Sequence, residues 1–269
     1  MGFNDLQLAF LLTLLAGLST GIGSLLAFTA RRTNTAFLSF ALGFSAGVMI
    51  YVSMVEIYAQ AHQAALNAWG LSGGWYAIGA FFAGMLSIAF IDMLVPSWEN
   101  PHEARIIEDL HKDRSQLNNN KLMRTGIMSA MAIAIHNFPE GLATFISVLH
   151  DPALGITIAA AIAIHNIPEG IAVSVPVYYA TGDRKKAFIY SALSGLSEPL
   201  GAFIAYLILM PFISEALFAL LFASIAGIMV FISLDELLPA AREYGEAHHS
   251  VYGIIAGMMV MAVSLQMMA

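Results

Sequence analysis

His136-Asn137-Phe138-Pro139-Glu140-Gly141 and His165-Asn166-Ile167-Pro168-Glu169-Gly170 are near copies, each inside an apolar run long enough to cross a bilayer. On a helix, His and Glu four residues apart share one face, so each copy offers an imidazole and a carboxylate to a common point. A carboxylate at the membrane centre costs about 2.5–3.5 kcal/mol on insertion scales, and it persists there with a partner and usually a function. Neither run contains Lys or Arg. The compensating positive charge therefore falls to a bound or transported metal cation.

The rest of the chain has the same character. It is 59% hydrophobic and 11% charged over 269 residues, which places it among membrane proteins. Eight apolar spans are predicted, near 6–30, 36–60, 73–95, 125–148, 153–179, 187–210, 216–239 and 251–268. The expected fold is an all-α membrane protein, a single transmembrane transporter domain over 1–269 with a cytoplasmic loop at about 96–124. Asp5, rather than a basic segment, precedes the first span, so that span reads as a retained helix and not a cleaved signal. Cysteine is absent, which excludes disulfides and thiolate ligands.

Lys and Arg set the orientation. Arg31 and Arg32 lie between spans 1 and 2, and Arg105, Lys112, Arg114, Lys121 and Arg124 between spans 3 and 4. Arg184, Lys185 and Lys186 lie between spans 5 and 6, and Arg242 between spans 7 and 8. These are all 11 basic residues, and eight alternating spans put every one on the cytoplasmic face. Both termini are then expected outside. The stretch from Pro96 to Leu122 holds His102, Glu103, Glu108, Asp109 and His111 but too few apolar residues for a packed domain. It reads as a solvated connector, with weak metal buffering as its functional alternative.

A repeat lies hidden in the outer spans. Ser45-Ala46-Gly47-Val48-Met49-Ile50-Tyr51-Val52-Ser53-Met54-Val55-Glu56 aligns without gaps on Ile225-Ala226-Gly227-Ile228-Met229-Val230-Phe231-Ile232-Ser233-Leu234-Asp235-Glu236. Spans 1 and 6 match through Gly17 with Gly195 and Gly23 with Gly201, and spans 3 and 8 through Ala83-Gly84-Met85 and Ala256-Gly257-Met258. Matched spans are five apart, so they cross in opposite directions. The expectation is an inverted-topology repeat, spans 1–3 against 6–8 around a central pair, a 3+2+3 arrangement with its site near the midplane.

Seven acidic residues fall within or at the ends of the spans: Glu56, Asp92, Glu140, Glu169, Glu198, Asp235 and Glu236. Glu56 is near the outer end, Glu140, Glu169 and Glu198 are near mid-membrane, and Asp92, Asp235 and Glu236 are near the inner ends. Such a negative ladder describes a cation path. The bland alternative is protonated carboxyls bonded between helices. It accounts poorly for three acids at mid-depth beside two His residues.

Imidazole with carboxylate suits zinc and other first-row divalent ions. Asn137 and Asn166 point about 100° around their helices from His136 and His165, where they could complete a second, oxygen-richer site sharing Glu140 and Glu169. Pro139 and Pro168 lack an N–H, which frees the carbonyls of Ile135 and Ile164. The Gly17…Gly21, Gly43…Gly47 and Gly253…Gly257 spacings read as close helix packing, and the 15 Met residues as adaptable filler. His62, His150, His248 and His249 read as solvated residues near helix ends, with ion capture as the alternative for His62 and the His248-His249 pair.

The paired motifs, with Ser197-Glu198 and the run Leu234-Asp235-Glu236-Leu237-Leu238-Pro239, resemble the ZIP (Zrt/Irt-like) metal transporters, most nearly the bacterial ZupT-type branch. The resemblance covers essentially the whole chain. It implies the eight-helix 3+2+3 fold, both termini outside, a homodimer in the inner or plasma membrane, and uptake of divalent metal toward the cytoplasm. Carried over by motif, the principal site would use Glu56, His136, Glu140, His165 and Glu169. The secondary site would use Asn137, Glu140, Asn166, Glu169 and Glu198. Asp92, Asp235 and Glu236 would form the release path. The branch implies broad acceptance of Zn, Fe, Mn, Co and Cd. This chain departs from the family pattern in having a carboxylate as the span 2 ligand and in lacking a His run in its cytoplasmic loop.

The expected partners are divalent metal ions and the lipid bilayer, with no nucleic acid and no resident cofactor. The alternative from another class is a membrane-embedded zinc hydrolase, in which paired His and Glu hold a metal with an open water position. His-Glu-x-x-His is absent, and no outer or cytoplasmic domain is expected that could bind a polymer substrate. A proton- or sodium-coupled carrier of an organic solute would not need two His-Asn pairs.

Overall fold

The computed structural model describes residues 3–29, 35–94, 119–212, 214–244 and 247–268, and among them there is no β-strand. The helices are α1 (Phe3–Thr29), α2 (Thr35–Tyr51), α3 (Tyr58–Trp69), α4 (Gly73–Leu94), α5 (Asn119–His150), α6 (Pro152–Thr181), α7 (Arg184–Gly195), α8 (Ser197–Ile204), α9 (Glu215–Ile232), α10 (Leu238–Tyr244) and α11 (Ala247–Met268). A π-helical turn, Val52–Ile57, joins α2 to α3, and another, Ser233–Leu237, joins α9 to α10. Arg31, Arg32, Arg105, Lys112, Arg114 and the predicted loop with His102, Glu103, Glu108, Asp109 and His111 lie outside the described residues.

Six helical stretches among the described residues are long and apolar enough to cross a membrane: Asn4–Leu25, Ser39–Met93, Pro152–Ile171, Arg184–Phe212, Glu215–Leu237 and His248–Met267. The stretch Ser39–Met93, 55 residues long, folds back at Gly70, whose φ of 61° only glycine adopts readily. Tyr58 and Phe81, on either side of that reversal, meet ring to ring at 5.3 Å. Large apolar side chains such as Trp75, Leu86 and Met93 face outward, as on a surface that lipid covers.

Two helix ends differ most from the sequence reading. The second span continues to Trp69 rather than stopping near 60, because Ala61, Ala64 and Ala65 form a buried stripe in a segment packed on α9 and α4. The helix of the fourth span, α5, starts at Asn119, before the expected start at 125, since Lys121, Leu122, Met123 and Arg124 are good helix formers beyond the apolar run.

Local signals fix the joints. Asp151 alone separates α5 from α6; its carboxylate accepts from Ala153 N at 2.9 Å, and Pro152 occupies the first turn. Gly155 lets this hairpin close against Val148, where a β-carbon would collide. Asp183 caps α7 by accepting from Lys185 N and Lys186 N, and Ser214 caps α9.

Helices pack most extensively as α2 with α11, α4 with α9, α1 with α6 and α5 with α6. Glycines set the close approaches, and these occur in matched pairs. Gly47 lies against the carbonyl of Ile254, and Gly227 against that of Phe81. Gly84 meets the carbonyl of Ser224, and Gly257 that of Phe44. The offsets that align Gly47 with Gly227 and Gly84 with Gly257 also align Phe44 with Ser224 and Phe81 with Ile254. Gly17 and Gly195 meet each other. The two π turns correspond as well. Val52, Ser53 and Ile57 are buried, as are Ile232, Ser233 and Leu237, while Glu56 and Glu236 are half-buried.

Candidate metal site

Both motifs sit in mid-helix, on α5 and α6, and the α5–α6 hairpin holds them side by side. Asn137, Glu140, His165, Asn166, Glu169 and Glu198 are all buried, at 0, 0, 1, 0, 2 and 0% exposure. Glu198 joins them from α8 because Gly141 and Gly201 bring α5 and α8 into backbone contact: Gly141 against the carbonyl of Glu198, Gly201 against that of Phe138. The counterpart contacts bring α1 to α6, with Gly170 against the carbonyl of Thr20 and Gly23 against that of Ile167.

Two pairs form directly. His165 Nε2 lies 3.1 Å from Glu140 Oε2. With metal–ligand bonds of about 2.0–2.1 Å, neighbouring ligands stand about 2.9 Å apart in an octahedral site and about 3.3 Å apart in a tetrahedral one. The pair therefore has the spacing of two ligands on one ion. Asn166 Nδ2 donates to Glu198 Oε1 and, at 3.0 Å, to the carbonyl of Ala16 on α1. Glu140 and Glu169 are near enough for their charges to act on Glu198.

The remaining polar capacity is conspicuous. Glu140 Oε1, Glu198 Oε2, Asn166 Oδ1 and both amide atoms of Asn137 are buried without a hydrogen-bond partner. Each such group costs roughly 1–3 kcal/mol, and more when charged. A divalent cation would satisfy several at once, since the free atoms are mostly oxygens and the first pair adds a nitrogen. The donor set fits a first-row divalent ion as substrate.

Other expected residues stand apart from these contacts. Glu56, half-buried in the first π turn, accepts from Gln60 Nε2 at 3.1 Å. Asp92 is half-buried near the end of α4, Asp235 is exposed and Glu236 half-buried in the second π turn. His136 belongs to α5, but its side chain is outside the described ones. Among the described residues no three His, Asp or Glu side chains converge closely enough to hold a metal ion. Sequence reasoning missed the part played by α1, which supplies the Ala16 carbonyl. The polar residues Thr13, Ser19, Thr20 and Ser24 within that apolar span were the available signal.

A family model described as ZIP Zinc transporter matches residues 96–265. The chain is 63% identical over 267 residues to the zinc transporter ZupT of Oceanobacillus iheyensis, which spans 99% of this chain and 100% of that one. It is 60% identical over 263 residues to the zinc transporter ZupT of Lysinibacillus sphaericus, covering 97% and 98%. With the zinc transporter ZupT of Streptococcus mutans the identity is 61% over 258 residues, 96% of each.

Proposed function

The chain belongs to the ZIP zinc transporter family, and on that footing we propose that it carries zinc and related divalent cations through the membrane into the cytoplasm. It is a multi-pass membrane protein and a transporter, not an enzyme, so the hydrolase alternative falls away. Iron, manganese, cobalt and cadmium are proposed as further substrates, from the mixed nitrogen and oxygen character of the donors.

The single observation that carries this reading is the buried cluster of Glu140, His165, Asn166 and Glu198, with unpartnered oxygens and no buried Lys or Arg among the described residues. The proposed centre is binuclear, with Glu140 and Glu169 bridging. Glu56, His136, Glu140, His165 and Glu169 form the principal site; Asn137, Glu140, Asn166, Glu169 and Glu198 form the secondary one. Asp92, Asp235 and Glu236 are proposed to receive the ion on the cytoplasmic side.

The topology proposed is eight crossings in a 3+2+3 arrangement with both termini outside. It is supported by the reversal at Gly70, by the matched glycine contacts and by the corresponding π turns. Placement of the basic residues supports the orientation. A homodimer is proposed from the family resemblance.

Reconstituted protein tests the function. Liposomes carrying the chain should accumulate Zn2+ above protein-free vesicles, and Mn2+, Fe2+, Co2+ and Cd2+ should compete with it. Running the assay with and without a pH gradient reports any coupled proton. No accumulation of any of these ions by folded protein would overturn the proposal.

A further inference from the structure

Hydroxyls within helices normally bond back to a carbonyl three or four residues earlier. Thr13, Ser147, Thr181 and Ser233 do so here, with Oγ to carbonyl distances of 2.8, 2.6, 2.8 and 2.7 Å. Thr20 does not. It is fully buried, and its Oγ1 has no hydrogen-bond partner.

Its position explains why that matters. Thr20 is one turn beyond Ala16, whose carbonyl holds Asn166, so both lie on the face that α1 turns toward the second motif. The Thr20 carbonyl packs on Gly170, the last residue of that motif, and accepts from Ser191 Oγ at 3.2 Å. Its hydroxyl occupies space left by Gly195, where a β-carbon would stand 2.8 Å from Oγ1. The alignment that pairs Gly17 with Gly195 and Gly23 with Gly201 pairs Thr20 with Glu198. The packing follows it: Thr20 sits on Gly170 as Glu198 sits on Gly141. Glu198 is bonded to Asn166 of one motif. The counterpart of that pair is Thr20 with Asn137 of the other motif, and the Asn137 amide is buried with both atoms unpartnered.

We infer that Thr20 is a further binding residue, supplying with Asn137 neutral oxygens to the cation opposite the charged Glu198–Asn166 arm. The inference rests on the metal-transport reading above. It makes the two repeat arms chemically unequal. One carboxylate anchors the ion, and one hydroxyl completes its shell without adding a charge that would hold it too tightly to leave. A neutral oxygen matters most for the harder ions, so its loss should tell more on Mn2+ than on Zn2+.

The test titrates Zn2+ and Mn2+ separately into the purified full chain in detergent. Wild type should bind both ions. Thr20→Val should weaken Mn2+ binding roughly 10-fold or more, the low end for groups supporting a metal site, and Zn2+ binding less. Thr20→Ser should restore both affinities. Thr13→Val, which removes a hydroxyl bonded to its own helix, should change neither. Unchanged affinities in Thr20→Val, or equal losses for the two ions, would overturn the inference while leaving wild-type binding, and hence the transport reading, intact. If Thr20→Val does not fold, Thr20→Asp decides. It recreates a carboxylate opposite Glu198 and should tighten both ions, and unaltered affinity sinks the inference. A wild type that binds neither ion overturns the transport reading and this inference with it.

Discussion

His165 Nε2 and Glu140 Oε2 lie 3.1 Å apart across two helices, so the imidazole of the second motif is held by the carboxylate of the first. The two copies are thus joined through one side chain from each. A change to one motif is felt by both.

Glu140→Ala and Glu169→Ala should therefore each abolish transport while the protein still inserts. Loss of either proposed bridging carboxylate should exceed the roughly 10–100-fold cost of losing an outer-shell partner. Zn2+ uptake into vesicles, normalised to inserted protein, checks this. Near-normal uptake by either variant would remove that carboxylate from the ligand set.

Metal affinity should fall as the pH drops from about 8 to about 5, because imidazole and carboxylate must shed protons before they can ligate. The direction is the same for both ligand types, since protons compete with the cation at each. Equilibrium binding is the quantity to follow, because a proton-coupled carrier could conceal the effect in uptake rates. An affinity flat over that range speaks against His and carboxylate coordination.

Glu56 and Glu236 occupy equivalent places in the π turns Val52–Ile57 and Ser233–Leu237, and the proposed inverted repeat would put them on opposite sides of the proposed centre. Glu56→Gln should weaken binding from outside. Glu236→Gln should leave that binding nearly intact and slow delivery to the cytoplasm, because a dehydrated dication needs compensating charge wherever water is scarce. Rapid binding and net uptake are measured together for each variant. Equal loss of outside binding in both would refute the ordered path.

Gly170→Ala should destabilise the protein by about 1–3 kcal/mol, since the new methyl meets the Thr20 carbonyl at a helix contact. Gly79→Ala is the control: no atom lies within 4 Å of its β-carbon position, and alanine is the better helix former. Thermal unfolding in detergent should drop for the first and hold or rise for the second.

The crossing stretches and the buried acids were legible in the sequence because a bilayer imposes apolar runs and makes every charge within them conspicuous. Close helix packing was legible through glycines: Gly17, Gly43, Gly47, Gly253 and Gly257 each lie against a carbonyl of a neighbouring helix. The π turns at Val52–Ile57 and Ser233–Leu237 were not, because an extra residue only shifts the phase of the helical pattern, and spans that are apolar nearly all round do not show that shift. Nor was the contribution of α1. A backbone carbonyl such as that of Ala16 carries no side-chain signature, and its bond to Asn166 exists only once Gly170 and Gly23 have drawn the helices together.

The one-residue joint at Asp151 reaches beyond its local geometry. With its carboxylate closing the start of α6 and Gly155 pressed on Val148, the joint leaves the two motif helices no slack to slide past one another. The proposed ligands of the two motifs would then meet the cargo as one unit, joined by Glu56 and Glu198 from other elements. Much of the ordering entropy of the two motifs is spent when the hairpin closes, before an ion arrives, so their share of the proposed centre is set in advance. The helical hairpin is then the smallest piece that carries both motifs together. A joint lengthened with a few flexible residues would separate assembly of the centre from folding of the chain.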